Sequence, residues 1–338
     1  RITTTRENLP AVLDLVAEIL KEPTFPQSEF EQLKQQQLAG AERMKSEPQA
    51  IAATAYRRHM ANYPKDDVRY VPTIEESIEM VKAVSLDEVK AFHKDFYGAA
   101  RGEVTVVGDF DKEATQKQIS TLFSGWKSPK PYSEIIRKYQ PVPAKAETFE
   151  TPDKANSLWL AGIPVKMKDS DPDYPALLLG NYIFGGSGMG SKLFARIRNK
   201  EGLSYGVGSG LSVTADDDAA LFTANAIANP ENAPKVEASF KDELNKALTA
   251  GFTAEEVAAA KKSWSQQQQV RRANDSALAG ALGSLAYLKR TMQWEAELET
   301  KIMALTPEQI KAAMTKHLDP SKFSFFRAGD FKKANVQF

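Results

Sequence analysis

Apolar and polar positions along this chain follow two different periods. Residues 156–165, NSLWLAGIPV, form a run rich in large apolar groups and predict a strand. LSYGVGSGLSV (203–213) and ALFTANAIA (220–228) alternate like paired strands, with Thr214 to Asp218 as the turn between them. Elsewhere apolar residues recur at helical spacing. DPDYPALLLGNYIFG (171–185) reads as a capped helix ending in glycines, and SKLFARIRN (191–199) as a second helix.

One pattern occurs twice. Residues 85–110 read SLDEVKAFHKDFYGAARGEVTVVGDF, and residues 306–331 read TPEQIKAAMTKHLDPSKFSFFRAGDF. Each opens on a Ser or Thr cap with an acidic first turn, runs through a helix and a strand, and closes on Gly-Asp-Phe. Upstream, Asn8-Leu-Pro10 and Asn232-Ala-Pro234 each open an amphipathic helix. TFPQSEFEQLKQQQ (24–37) and GFTAEEVAAAKKSW (251–264) are again matching helix starts. The repetition implies a duplicated domain.

Only the second copy has the strand-rich front portion. The expected organisation is therefore a partial domain over 1–128, a Pro-rich linker over 129–155 and a complete domain over 156–338. Hairpin-like strands combined with long helices give an α+β class, with helices packed on one face of a mixed, largely antiparallel sheet. The partial copy should expose a sheet edge and an apolar face, to be covered by a missing or separately supplied segment.

Composition narrows the function classes. With 338 residues, 42% apolar and 26% charged, the chain is long enough for two cores. Its 44 basic and 44 acidic residues cancel, so nothing in the charge favours nucleic acid. No apolar run is long enough for a membrane span. The opening RITTTRENL has neither a signal-peptide core nor an initiator methionine, so the chain reads as a processed or partial one. The absence of cysteine removes disulfides, thiolate metal sites and cysteine nucleophiles, and suits cytoplasm and periplasm alike. His59, His93 and His317 lie far apart in sequence, so no local metal pair exists and no metal ligand is assigned.

Candidate chemistry gathers in one place. The turn Gly185-Gly-Ser-Gly-Met-Gly190 precedes the stretch Arg198-Asn-Lys-Glu-Gly-Leu-Ser-Tyr205. The turn is not a phosphate loop, because Ser191 separates Lys192 from the last glycine and a helix precedes the turn. Arg198 is a permanent cation with a fork of donors, and Tyr205 offers a phenolic donor. Taken alone, the spacing also fits an arginine at a helix end beside a strand tyrosine packed on the sheet. Asp216, Asp217 and Asp218 read as a solvated hairpin turn rather than a calcium site.

The Arg/Tyr phrase, seven residues apart across a Gly-Leu-Ser step, resembles the pair found in pitrilysin/insulysin-type zinc peptidases. The resemblance implies duplicated α/β roll domains of the clamshell type, and it identifies this chain with the half that carries no metal. The family's H-x-x-E-H motif is absent, and Gln35, Gln36, Gln37 and Leu38 stand about where a third ligand would be expected. By resemblance, Arg198 and Tyr205 contact substrate and transition state, while Gly185, Gly186, Gly188 and Gly190 form a mobile turn beside the substrate chamber. No cofactor is expected in this chain, and zinc is expected in an upstream catalytic half on the same or a separate polypeptide. Peptides are the implied substrates, and the chain alone should be inactive. An inactive scaffold or peptide-binding subunit on the same fold is the alternative, and pairing of two copies is another way to cover the partial domain.

Overall fold

The computed structural model describes all 338 residues, Arg1–Phe338. Six helices come first: α1 (Leu9–Lys21), α2 (Gln27–Met44), α3 (Pro48–Ala61), α4 (Ile74–Ala83), α5 (Leu86–Phe96) and α6 (Lys112–Phe123). Strands β1 (Ala146–Glu150) and β2 (Ser157–Lys166), helix α7 (Tyr174–Asn181) and the hairpin β3 (Gly206–Ser212) and β4 (Ala219–Ala228) follow. The chain ends with α8 (Ala233–Thr249), α9 (Ala254–Arg272), α10 (Asp275–Tyr287), α11 (Met292–Ala304), α12 (Pro307–His317) and β5 (Ser324–Gly329). No helix is long and apolar enough to cross a membrane.

The five strands form one sheet in the order β1-β5-β2-β4-β3, parallel between β1 and β5 and antiparallel elsewhere. The α+β class and the mixed, largely antiparallel sheet are those the pattern predicts. Central β2 is apolar on both faces because both are covered. Trp159, Ile163 and Val165 enter the main core with Phe184, Phe222 and Phe240. Leu158 turns the other way and meets Ala328 and Ala52 in a smaller cluster.

That second cluster departs from helices on a single face. Helices α7 and α8 pack on the first face, with α12 against both, while α3 crosses the opposite face over β1, β5 and β2. Gly162 permits the approach, because a Cβ there would run into the Tyr56 phenol. The Tyr56 hydroxyl is buried without a hydrogen-bond partner. Burial also pushes its pKa up, because the phenolate would be stranded away from water. Tyr56→Phe is expected to raise stability by about 1 kcal/mol, read from urea unfolding, because it deletes an unsatisfied polar atom.

The duplication is visible in atomic detail. Ser85 with Glu88 and Thr306 with Gln309 form capping boxes at the starts of α5 and α12. Lys34 of α2 donates to the Lys82 and Val84 carbonyls, both at 2.8 Å. Its counterpart Lys261 of α9 donates to the Met303 and Leu305 carbonyls at 2.8 and 2.6 Å. In both copies one ammonium satisfies carbonyls left open at a helix C-terminus.

Two compact units are present, and neither follows chain order. One comprises residues 1–38, 80–135 and 267–296, and the other 39–79, 136–266 and 297–338. The repeat explains this interleaving as a reciprocal exchange. Helix α3 of the first copy lies in the unit with the sheet, where Tyr56 meets Phe326 edge-on at 5.8 Å. Helix α10 of the second copy lies in the other unit, where Thr105 Oγ1 donates to the Ala279 carbonyl at 2.9 Å. Thr105 and Phe326 hold the same place in the repeat.

Two segments differ from the sequence reading. Residues 103–107 form no strand, although their counterparts in β5 do. A strand needs neighbours for its N–H and C=O groups; β5 has β1 and β2, and no strand pairs with 103–107. Val104 is accordingly 56% exposed where Phe325, at the same repeat position, is 9% exposed, and Phe92 is 58% exposed against 3% for Ala313. The second difference is β1, which arises inside the Pro-rich stretch 129–155. Phe149 packs against the small cluster beneath α3 while its strand neighbours Thr148 and Glu150 stay exposed, a half-buried edge strand with too little apolar content to be read from pattern.

Candidate functional site

The site is built in the sheet-bearing unit, on the connection from α7 to β3. After Asn181 the chain continues as a π-helical turn over Tyr182–Gly186, a short 3₁₀ turn over Gly188–Gly190 and a second π-helical turn over Phe194–Lys200. The apolar spacing predicts ordinary helices here. Instead Ser187 N–H bonds the Tyr182 carbonyl at 3.0 Å and Glu201 N–H bonds the Arg196 carbonyl at 2.9 Å, both five residues back. Such wide turns recur at functional sites.

The four glycines do different work. A Cβ on Gly185 would lie 2.6 Å from the Ser209 backbone nitrogen, so glycine lets this turn press against β3. A Cβ on Gly186 would come 2.9 Å from Asn181 Nδ2. Gly188 has φ +64°, the left-handed region that glycine enters without penalty. Gly190 is not tightly packed: its Cβ would find only Ser187 Oγ, at 3.5 Å. Between the last two, Met189 is 80% exposed. Ser209 Oγ donates to the carboxamide oxygen of buried Asn181 at 2.7 Å and ties the turn to the sheet.

Arg198 sits on the second π-helical turn, exposed and without an ion pair or hydrogen bond. Tyr205 lies at the entry to β3 and is 66% exposed; its hydroxyl has only the Asn229 side-chain oxygen, at a long 3.5 Å. Its backbone is fixed, since Tyr205 N–H donates to the Ile227 carbonyl at 3.0 Å and Ser204 Oγ donates to the same carbonyl at 2.7 Å. Tyr205 is therefore carried on an anchored backbone with only this long contact at its hydroxyl, and the Arg198 guanidinium has no partner.

Arg196, two residues earlier, is the opposite case. Its Nε donates to Glu201 Oε1 at 2.8 Å, and its Nη1 donates to Glu243 at 2.8 Å and to Asp242. Three carboxylates make its guanidinium still harder to deprotonate than an ordinary arginine. No pattern in the sequence singles out Arg196, because Asp242 and Glu243 lie on α8 and only the fold brings them to it.

The histidines remain apart. His59 Nε2 meets Ser324 Oγ at 2.9 Å, His93 Nε2 the Leu20 carbonyl at 2.7 Å, and His317 Nε2 Asp173 Oδ2 at 2.9 Å. Asp171, Asp173 and His317 converge. However, Lys316 Nζ donates to the same Asp173 oxygen at 2.6 Å, and this ammonium, followed by His317, holds the Asp173 carboxyl below its usual range. An ammonium on the donor oxygen makes this trio a poor zinc set. Asp217 and Asp218 are also engaged, accepting from Arg137 N–H at 2.8 Å and Tyr139 N–H at 2.6 Å. Gln35, Gln36 and Gln37 are exposed on α2.

Residues 83–263, more than half of the chain, match the family described as the peptidase M16 inactive domain. The chain belongs to that family, in agreement with the resemblance carried by residues 185–205. It is 24% identical over 319 residues to the non-peptidase homolog YmxG of Helicobacter pylori, covering 94% of this chain and 71% of that protein. Among solved structures it is similar to a peptidase M16 inactive domain from Pseudomonas fluorescens, with TM-score 0.80 and 27% identity over 96% of this chain and 76% of that one. It also shares its fold with a protease from Helicobacter pylori, with TM-score 0.83 and 17% identity over 96% of this chain and 77% of that one.

Proposed function

We propose that this chain is the non-metal portion of a two-part zinc metallopeptidase, where it forms one wall of the peptide chamber and presents Arg198 and Tyr205 to substrate. The observation that carries the reading is the contrast within one short segment. Arg196 is saturated by three carboxylates, whereas Arg198 is exposed without a partner and Tyr205 is exposed with only a long contact to Asn229. Arg198 would bind a peptide carbonyl or carboxylate through its fork. Tyr205 would donate its phenolic hydrogen to the carbonyl oxygen as negative charge develops there. Zinc, held by the partner half, would supply the activated water and polarise the scissile carbonyl. The unpaired stretch 103–107, in which Val104 is exposed, supports a strand-bearing partner segment at this position.

The test is peptide affinity. Fluorescein-labelled β-casein, an unfolded polypeptide, should bind the chain, and Arg198→Ala should weaken binding by about tenfold, as loss of a charge-assisted hydrogen bond implies. Fluorescence anisotropy reads the result, and equal affinity would remove Arg198 from substrate binding. The name of the relative YmxG, a non-peptidase homolog, favours a second reading: a scaffold that binds partners without supporting cleavage. Under that reading Arg198→Ala leaves casein binding unchanged.

A further inference from the structure

An exposed arginine and tyrosine are useful to a substrate only if the backbone that carries them stays in place. Tyr205 is tied to Ile227 next to β3, but the residues between the end of the π-helical turn at Lys200 and that bond, 201–204, belong to no helix or strand. Something else must fix the stretch between.

We propose that Glu201 is the positioning residue for the Arg198/Tyr205 pair, acting through a carboxylate clamp that fastens the turn to α8. This rests on the peptide-contact reading of that pair. Three bonds converge on this one residue. Its Oε1 accepts from Arg196 Nε at 2.8 Å, its Oε2 accepts from Ser239 Oγ of α8 at 2.5 Å, and its N–H donates to the Arg196 carbonyl at 2.9 Å. Arg196 in turn reaches Asp242 and Glu243 of α8. Lys246 braces those two acids from the next turn, at 2.8 and 3.0 Å.

The clamp continues into the reversal that follows. Gly202, with φ +64°, turns the chain back, and Leu203 N–H reaches the Ile197 carbonyl at 2.9 Å. Arg198 lies between the two residues of the Arg196–Glu201 pair, and Tyr205 lies four residues beyond Glu201. A planar guanidinium fork held by carboxylates on two sides leaves little freedom to the backbone at either end. Ordering on substrate binding then falls on the Arg198 and Tyr205 side chains alone. Pre-organisation of this kind strengthens binding without adding a contact.

Glu201→Gln tests this with nearly unchanged volume, because an amide still accepts from Ser239 but loses the charge that grips Arg196. The exposed bond after Arg198 is a trypsin site that the substitution does not adjoin, so limited trypsinolysis there reads how far the turn opens. Tyr205 replaced by 3-fluorotyrosine gives a fluorine resonance that reports its own mobility. The expected result in Glu201→Gln is about tenfold faster cleavage at that bond, a shifted or broadened fluorine signal and an unchanged urea midpoint, with casein affinity falling toward that of Arg198→Ala. Unchanged cleavage and fluorine signal would overturn the clamp, as would opening that appears only together with a lowered urea midpoint. If Arg198→Ala weakens casein binding and Glu201→Gln does not, the positioning role fails while the pair stands. If the turn opens and neither variant alters affinity, the pair is not a peptide contact and the positioning role falls with it.

Discussion

Arg327→Ala is expected to lower the unfolding free energy by about 3 kcal/mol, because it takes the buried cation away from a buried carboxylate. Arg327 and Glu237 are 4% and 8% exposed, so both charges lie inside the sheet-bearing unit. Arg327 Nε donates to Glu237 Oε2 at 2.8 Å, and its Nη2 reaches the same oxygen. Trp159 Nε1 also donates to this oxygen at 3.0 Å, and Lys241 Nζ to Oε1 at 2.7 Å. The carboxylate thus joins β5, β2 and α8. Removing the arginine leaves this anion with Lys241 and Trp159 but without its buried cation, whereas replacing both partners by apolar side chains should cost less. Urea unfolding of Arg327→Ala beside the double variant Glu237→Leu/Arg327→Met separates these cases.

The same cluster predicts an acid response. Burial pushes the Glu237 carboxyl up, but hydrogen bonds from Lys241, Arg327 and Trp159 outweigh it and hold the group below the usual carboxylate range. A depressed folded-state pKa contributes stability that is fully present above the unfolded value. It is lost as pH falls through the folded one. The wild-type chain should therefore lose stability below about pH 4.3, the ordinary glutamate value, and Glu237→Gln should be less stable at neutral pH but less acid-sensitive.

The largest functional effect is expected at Tyr205. If the chain completes a zinc peptidase as proposed, Tyr205→Phe in the complex should lower kcat by about 10²-fold, the scale of a lost oxyanion donor, with little change in KM. The phenolic hydrogen is what the substitution removes. The ring, its exposed position and the backbone bond to Ile227 remain. A donor that acts only as charge develops raises turnover without tightening ground-state binding. Equal fractional losses in affinity and turnover would instead make Tyr205 an ordinary binding contact.

Much of this arrangement is legible in the chain. The apolar run at 156–165 and the alternation over 203–228 mark β2, β3 and β4: β2 is a continuous apolar run because both its faces are covered, and β4 buries alternate side chains. The matched segments beginning at Ser85 and Thr306 reveal the duplication, and both capping boxes follow from the residues present. The exchange of α3 and α10 is not legible, because the surface a helix packs against is a tertiary choice that its own residues do not record. Strand β1 is hidden for a related reason: an edge strand with one buried face and five residues carries little pattern. At the site, Arg198, Tyr205 and the glycine turn stand close in sequence and are visible together. The clamp spans from Glu201 to Ser239, Asp242 and Glu243, so only the fold of α8 against the π-helical turn displays it.

If this chain completes a peptidase that it cannot form alone, hydrolysis of a fluorogenic peptide library is the most direct measurement of it. Zinc is added, and the chain alone is compared with the chain mixed with a zinc-bearing half of the same family. Cleavage is expected only in the mixture, and most of it should be lost when the chain carries Tyr205→Phe. Zinc-dependent cleavage by the chain alone, or a mixture no more active than the zinc-bearing half by itself, would contradict the proposed role.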